Sequence, residues 1–167
     1  MTKKMITIFV SYARANRDLA TRFLKHFREQ TSPSKQYKYA FWRDSDILVG
    51  EKWHEAIQQA LIKCDLGLVL VSPAFLGSQY IQDHEFPKCV KGGTKPVIPV
   101  MLQPIDFECH DLKGLHKRQI FGLDRPRFTA PKVFGDCTGQ QRTQFALELF
   151  RQVEARLDGI GESHKTS

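Results

Sequence analysis

The sequence predicts an α/β protein built on a parallel sheet with helices on both faces. Three observations carry this. Short apolar runs alternate with stretches of helical periodicity along the chain. Each strand-like run leads through a polar loop into a helix, the order that makes parallel crossovers. One run, Leu66-Gly-Leu-Val-Leu-Val71, carries no polar side chain, as a central strand covered on both faces requires.

The elements follow in order. Met5-Ile-Thr-Ile-Phe-Val10 is rich in β-branched and aromatic residues and reads as a buried first strand. Asn16 stands as the N-cap of the first helix, with Asp18 placed for the helix dipole. Leu19, Ala20, Phe23, Leu24 and Phe27 recur at helical spacing, and Ser32-Pro33-Ser34 ends the run. Tyr39-Ala-Phe-Trp42 is a second short strand, and residues 43–50 form a polar loop closing on Gly50. Trp53, Ala56, Ile57, Ala60, Leu61 and Cys64 then mark one apolar face of a second helix.

After the third strand at 66–71, Ser72-Pro73 breaks the chain, and Ser78 reads as the cap of a helix carrying Tyr80, Ile81 and Glu85. Pro87 must bend or end that helix. Lys95 to Leu102 is the fourth strand, where Pro99 implies an irregular or edge-like register. A fifth strand falls near 118–123 within a loop-rich stretch, 103–137. Thr138 with Gln141 matches a capping box for the last helix, which carries Phe145, Leu149, Phe150, Val153 and Leu157 and ends before Gly159. The domain is expected over 1–158, with 159–167 a polar tail or linker.

At 167 residues the chain has the length of one domain, able to bury a core. No run reaches 18 apolar residues, and the first apolar run stops at Val10, too short for a secretory signal. Cys64, Cys89, Cys109 and Cys137 form no C-x-x-C pair, which argues against structural zinc and a disulfide scaffold and for a reducing cytoplasm. The six histidines make no metal-spaced pair, so no metal is expected. The net charge is +7, with seven Lys/Arg against one acid in residues 1–28 and six against one in 113–132. Without a ribonucleoprotein motif or zinc finger, the charge reads as scattered solvated lysines and arginines, and nucleic acid is not the expected partner.

There is no G-x-G-x-x-G, no G-x-x-x-x-G-K-[ST] and no G-x-S-x-G. What remains is concentrated in three loops that a parallel sheet places at the carboxyl ends of its strands. Phe9-Val10-Ser11-Tyr12 ends the first strand. Phe41-Trp42-Arg43-Asp44, with Asp46 and Gly50, precedes Trp53. Ser72-Pro73-Ala74-Phe75-Leu76, then Ser78, Tyr80 and Ile81, leads to Glu85. Ordinary structural roles stand beside each functional one. Trp53 fits the core. Phe9 either packs or lines a cleft. Asp44 and Asp46 either contact a ligand or cap the next helix, and Arg14 is either a ligand donor or a solvated charge.

In order and spacing, these three stretches resemble the TIR (Toll/interleukin-1 receptor homology) domain of the bacterial type, over roughly residues 4–158. The resemblance implies a flavodoxin-like fold with five parallel strands in the order 2-1-3-4-5. It implies cleavage of NAD⁺ at the nicotinamide–ribose bond, giving nicotinamide and ADP-ribose or a cyclic isomer, or else a non-enzymatic contact module. Glu85 would be the catalytic carboxylate. Phe9, Ser11, Tyr12, Arg14, Trp42, Arg43, Asp44, Asp46, Ser72, Tyr80 and Ile81 would line the NAD⁺ site. In many active relatives an aromatic stands four residues before the Glu, where this chain has Ile81, with Tyr80 one residue earlier. Ile47, Leu48, Val49 and Gly50 (the BB loop) would carry TIR–TIR self-association. NAD⁺ would be substrate rather than cofactor, and a downstream sensor domain or subunit the further partner, in a prokaryotic defence setting.

Overall fold

The computed structural model describes residues 2–43, 62–78, 96–112, 114–115 and 119–165. Four strands are regular among them: β1 (Lys4–Ser11), β2 (Tyr37–Arg43), β3 (Leu66–Val71) and β4 (Val97–Met101). All pair parallel, in the order β2-β1-β3-β4. The helices are α1 (Arg17–Thr31), a short α2 (Pro73–Leu76) and α3 (Gly139–Lys165). Of the predicted second helix Ile62, Lys63 and Cys64 are described: the first two are helical, while Cys64 is buried but lies just past the helical residues.

The alternation of side chains along each strand divides the core in two. Ile6, Ile8 and Val10, Leu66, Leu68 and Leu70, and Ile98 and Val100 face α1 and α3, where Phe23, Phe27, Leu149 and Val153 cover them. Phe23, Phe134 and Phe145 meet edge to face at 5.4–6.3 Å, each such pair contributing about 0.5–1.5 kcal/mol beyond its buried area. On the opposite face Val69, Val71 and Val97 pack with Phe75, Leu76, Leu112 and Leu115. Full burial of every β3 residue on both faces explains its uninterrupted apolar run.

Among the described residues the expected fifth strand is reduced to one residue. Phe121 donates its N–H to Pro99 O at 2.8 Å and accepts from Met101 N–H at 2.8 Å, a single parallel bridge at Val100. Pairing one step earlier would need an N–H from Pro99, which proline lacks. One step later the chain has already turned away, because Leu123 pairs with Lys132 in both directions, at 3.0 and 2.7 Å. At the corner Gly122 is closely packed: a Cβ there would lie 3.0 Å from Met101 Sδ and from Pro131 Cβ, so those side chains would have to shift to admit it. Arg125 pins this excursion to α3 through both Glu148 oxygens, at 3.1 and 2.5 Å.

The capping box forms as predicted: Gln141 Oε1 accepts from Thr138 N–H at 2.9 Å, and Thr138 Oγ1 accepts from Gln141 N–H at 3.4 Å. Two helix expectations are corrected. Helix α3 does not stop before Gly159 but continues to Lys165. A glycine weakens a helix by about 1 kcal/mol without ending it. Asn16 is the N-cap residue of α1 by position, yet its side chain makes no capping bond, because it is engaged elsewhere.

Strand β2, at the sheet's edge among the described residues, is tied to the last helix by two phenols. Tyr37 donates to Asp158 at 2.7 Å and Tyr39 to Glu154, which also accepts from Ser34 at 2.9 Å. Burial, then the hydrogen-bonded Asp158 carboxylate, pushes Tyr37 up from 10.0 to about 12. Burial and Glu154 raise Tyr39 as well. A phenol with a raised folded-state value stabilises the fold fully below pH 10.0 and loses that contribution as pH rises through the folded value. Denaturant midpoints measured from pH 9 upward should therefore fall more steeply for the wild type than for a Tyr37→Phe/Tyr39→Phe variant. Near neutral pH the single Tyr39→Phe change should cost about 1.5 kcal/mol, the size of one hydrogen bond to a charged acceptor.

Candidate functional site

The parallel register brings the carboxyl ends of the strands to one level. Val10 is opposite Arg43, and Ser11 is opposite Val69. Leu102 and Gln103 both donate backbone N–H groups to Val71 O, at 3.0 and 3.3 Å. The loops after β1, β2 and β3 therefore leave from neighbouring points.

Phe9 and Trp42 are register partners, and their rings stack at 4.9 Å with 22° between planes. Phe9 is fully buried, while Trp42 is half-buried, leaving part of its indole exposed at the end of β2. The pair lies on the sheet face away from α1, since Phe41, one residue earlier on β2, packs against the α1 core. Period-two alternation turns Arg43 to the α1 side, where its Nη1 donates to Thr21 Oγ1 at 3.2 Å. Trp42 and Arg43 are thus neighbours in sequence on opposite faces.

The stretch after β1 is mostly interior. Ser11 and Tyr12 are buried, and Tyr12 packs into the α1–α3 core. Arg14 opens a 3-10 turn (Arg14–Asn16) and is exposed.

Behind these residues runs a buried polar chain that sequence reasoning missed. Ser72 Oγ donates to Asn16 Oδ1 at 2.6 Å and accepts from Phe75 N–H at 3.0 Å, which caps α2. Asn16 Nδ2 donates to Gln103 Oε1 at 2.9 Å. Ser72 is fully buried and Asn16 is 6% exposed. The chain joins the ends of β1, β3 and β4, so Ser72 holds the loop geometry from within. A Ser-Pro at a strand end was the legible signal, being an N-cap followed by proline at N1. The partners, 56 and 87 residues distant along the chain in their pairings, were not.

Among the sequence-predicted residues, Phe9, Ser11, Tyr12, Arg14, Trp42, Arg43 and Ser72 are described, and the register collects them at one end of the sheet. Glu85, Asp44, Asp46, Tyr80 and Ile81, and the Ile47, Leu48, Val49 and Gly50 loop, lie outside the described residues. Among the described residues no group of His, Cys, Asp and Glu is arranged to hold a metal ion. No described helix is long and apolar enough to cross a membrane.

Comparison with known families adds the deciding observation: the family model described as "TIR domain" matches residues 8–131, which includes all three strand-end loops. The chain belongs to the TIR domain family. Its sheet order agrees with that assignment, with Phe121 marking the place of a fifth strand beyond β4. This TIR domain is similar to "Uncharacterized protein y4lF" of Sinorhizobium fredii (strain NBRC 101917 / NGR234), with 30% identity over 106 residues. That match covers 62% of this chain and 32% of the relative, so the TIR domain matches about a third of that protein's length.

Proposed function

We propose that this TIR domain cleaves NAD⁺ between nicotinamide and ribose, with Glu85 as the catalytic carboxylate. The observation that carries the reading is the stacked Phe9–Trp42 pair, which presents a half-buried indole at the carboxyl ends of β1 and β2. A flat aromatic wall there suits a departing pyridine ring. The Ser72 to Glu85 stretch leaves the neighbouring strand and supplies the carboxylate.

The chemistry fits one acidic group. When the C–N glycosidic bond breaks, its electron pair moves to the pyridinium nitrogen, and nicotinamide departs neutral. No proton need be donated to it. Positive charge develops on the ribose, and a carboxylate beside it stabilises that charge. Water then adds to the anomeric carbon and releases a proton, giving ADP-ribose. If an adenine nitrogen adds instead, the product is a cyclic isomer. Arg14, exposed in the turn after β1, would donate to the diphosphate. In the full setting the domain would act as a self-assembling effector in prokaryotic immune signalling, associating through the loop that contains Val49 and Gly50.

Purified protein incubated with NAD⁺ at high concentration, with separation of nicotinamide, ADP-ribose and cyclic products, tests the reading. Nicotinamide release is expected. Concentration-dependent association with NAD⁺ left intact would overturn it in favour of a contact module without catalysis.

A further inference from the structure

Strand β2 and the end of α1 enclose a cavity of about 380 Å³, inside the range of ~300–1,000 Å³ usual for small-ligand sites. Tyr37, Tyr39 and Phe41, alternate residues of β2, line it with three rings. Their centroids are 6.1 and 6.5 Å apart, and the Tyr39 and Phe41 planes differ by 21°. Both tyrosine hydroxyls are tied to α3, Tyr37 to Asp158 and Tyr39 to Glu154. The rings are therefore held in place before any ligand arrives.

Three cations line the same cavity: Lys3 from just before β1, Arg28 from the last turn of α1 and Lys38 from β2. No acidic residue is among the described lining residues. Arg28 lies over the Phe41 ring at 5.3 Å, a contact that leaves its N–H groups available for an acceptor. Lys3 Nζ donates to Ser34 O at 2.7 Å, one of the three bonds an ammonium can make. Lys38 is exposed and has no side-chain partner among the described residues. The carbonyls at the end of α1 do not need these cations. Arg28 O accepts from Ser32 N–H at 2.9 Å, and Thr31 O accepts from Ser34 N–H at 3.1 Å. Glu29, the acid next to Arg28, stands about 100° round the helix from it.

Three cations about one small cavity suit a group that carries more than one negative charge. A phosphomonoester carries about −1.5 to −2 near neutral pH, a carboxylate only one. The fixed rings suit a flat ring joined to that group. We infer that this cavity binds a nucleoside monophosphate, its phosphate held by Lys3, Arg28 and Lys38 and its base set against the β2 rings. The site is separate from the NAD⁺ reading, because the ring wall faces the α1 side of β2 and Trp42 the other.

Nuclear magnetic resonance of the ¹⁵N-labelled whole chain, titrated with adenosine monophosphate, inorganic phosphate or adenosine, tests this. Adenosine monophosphate should shift the amide signals of Lys3, Arg28, Ser32 and Lys38 and bind more tightly than phosphate or adenosine. Lys3→Glu/Lys38→Glu should weaken binding by about tenfold or more. Lys3→Arg/Lys38→Arg, which keeps both charges, should stay within about threefold of wild type. Arg22→Glu/Lys25→Glu reverses the same charge on α1 outside the cavity lining and should change binding by less than about twofold. Circular dichroism melting of each variant separates lost binding from lost folding. Three results would each overturn the inference: shifts absent or confined to the carboxyl ends of the strands, equal losses from both charge reversals, or adenosine binding as tightly as its monophosphate.

Discussion

Glu85→Gln is expected to lower nicotinamide release by about 100-fold or more, the scale on which removing one electrostatic stabiliser of a transition state acts. Glutamine keeps the size and hydrogen-bonding reach of the side chain but removes the negative charge that the ribosyl cation needs. The loss should therefore appear in kcat, with KM for NAD⁺ changed much less. Quantifying nicotinamide at several protein concentrations, with melting curves of both proteins, separates a chemical defect from an assembly or folding defect. Equal turnover by variant and wild type would remove Glu85 from the reaction. A Trp42→Ala change addresses the other half of the site. It removes a stacking wall, so KM should rise, and the ~0.5–1.5 kcal/mol of its contact with Phe9 should be lost from stability.

Ser72→Ala is the substitution with the largest expected effect on folding. One hydroxyl serves Asn16 and Phe75 at once, and it is fully buried. Its removal leaves Asn16 Oδ1 without its donor from Ser72 and takes the acceptor from the first turn of α2. The buried acceptor left without its donor costs about 1–3 kcal/mol, and the lost N-cap about 1 kcal/mol. The sum, about 2–4 kcal/mol, corresponds to a melting point lower by roughly 6–12 °C. Asn16→Ala should cost a similar amount. The Ser72→Ala/Asn16→Ala double variant should cost less than the sum of the two, because they share one bond. Additive losses would show that the two side chains do not act on each other.

Much of the fold was legible locally. The apolar run at 66–71 is β3 to the residue, and the Phe23, Leu24 and Phe27 spacing is the buried face of α1. Thr138 and Gln141 sit three apart and make both bonds of their box. Pro99 reads as a mark of an irregular or edge-like register, and its missing N–H goes with a single bridge at Phe121 among the described residues. The candidate residues were legible as a set of strand-end positions, since a parallel sheet must gather such loops. The role of each residue was less so. Ser72, read as a ligand contact, is a buried hub. Arg43, read beside Trp42, faces the other way. Asn16, read as a helix cap, gives its amide to the ends of β3 and β4.

The sequence by itself determined the layers of this TIR domain, because strand and helix periodicities are properties of neighbours in the chain. It also determined which stretches lie at the strand ends. Only the tertiary structure decided that Asn16, Ser72 and Gln103 form one bonded chain, and that Lys3, Arg28 and Lys38 line one cavity. Polar pairing and charge alignment join residues tens of positions apart. Their distances are set by strand register and helix packing, which no local pattern encodes.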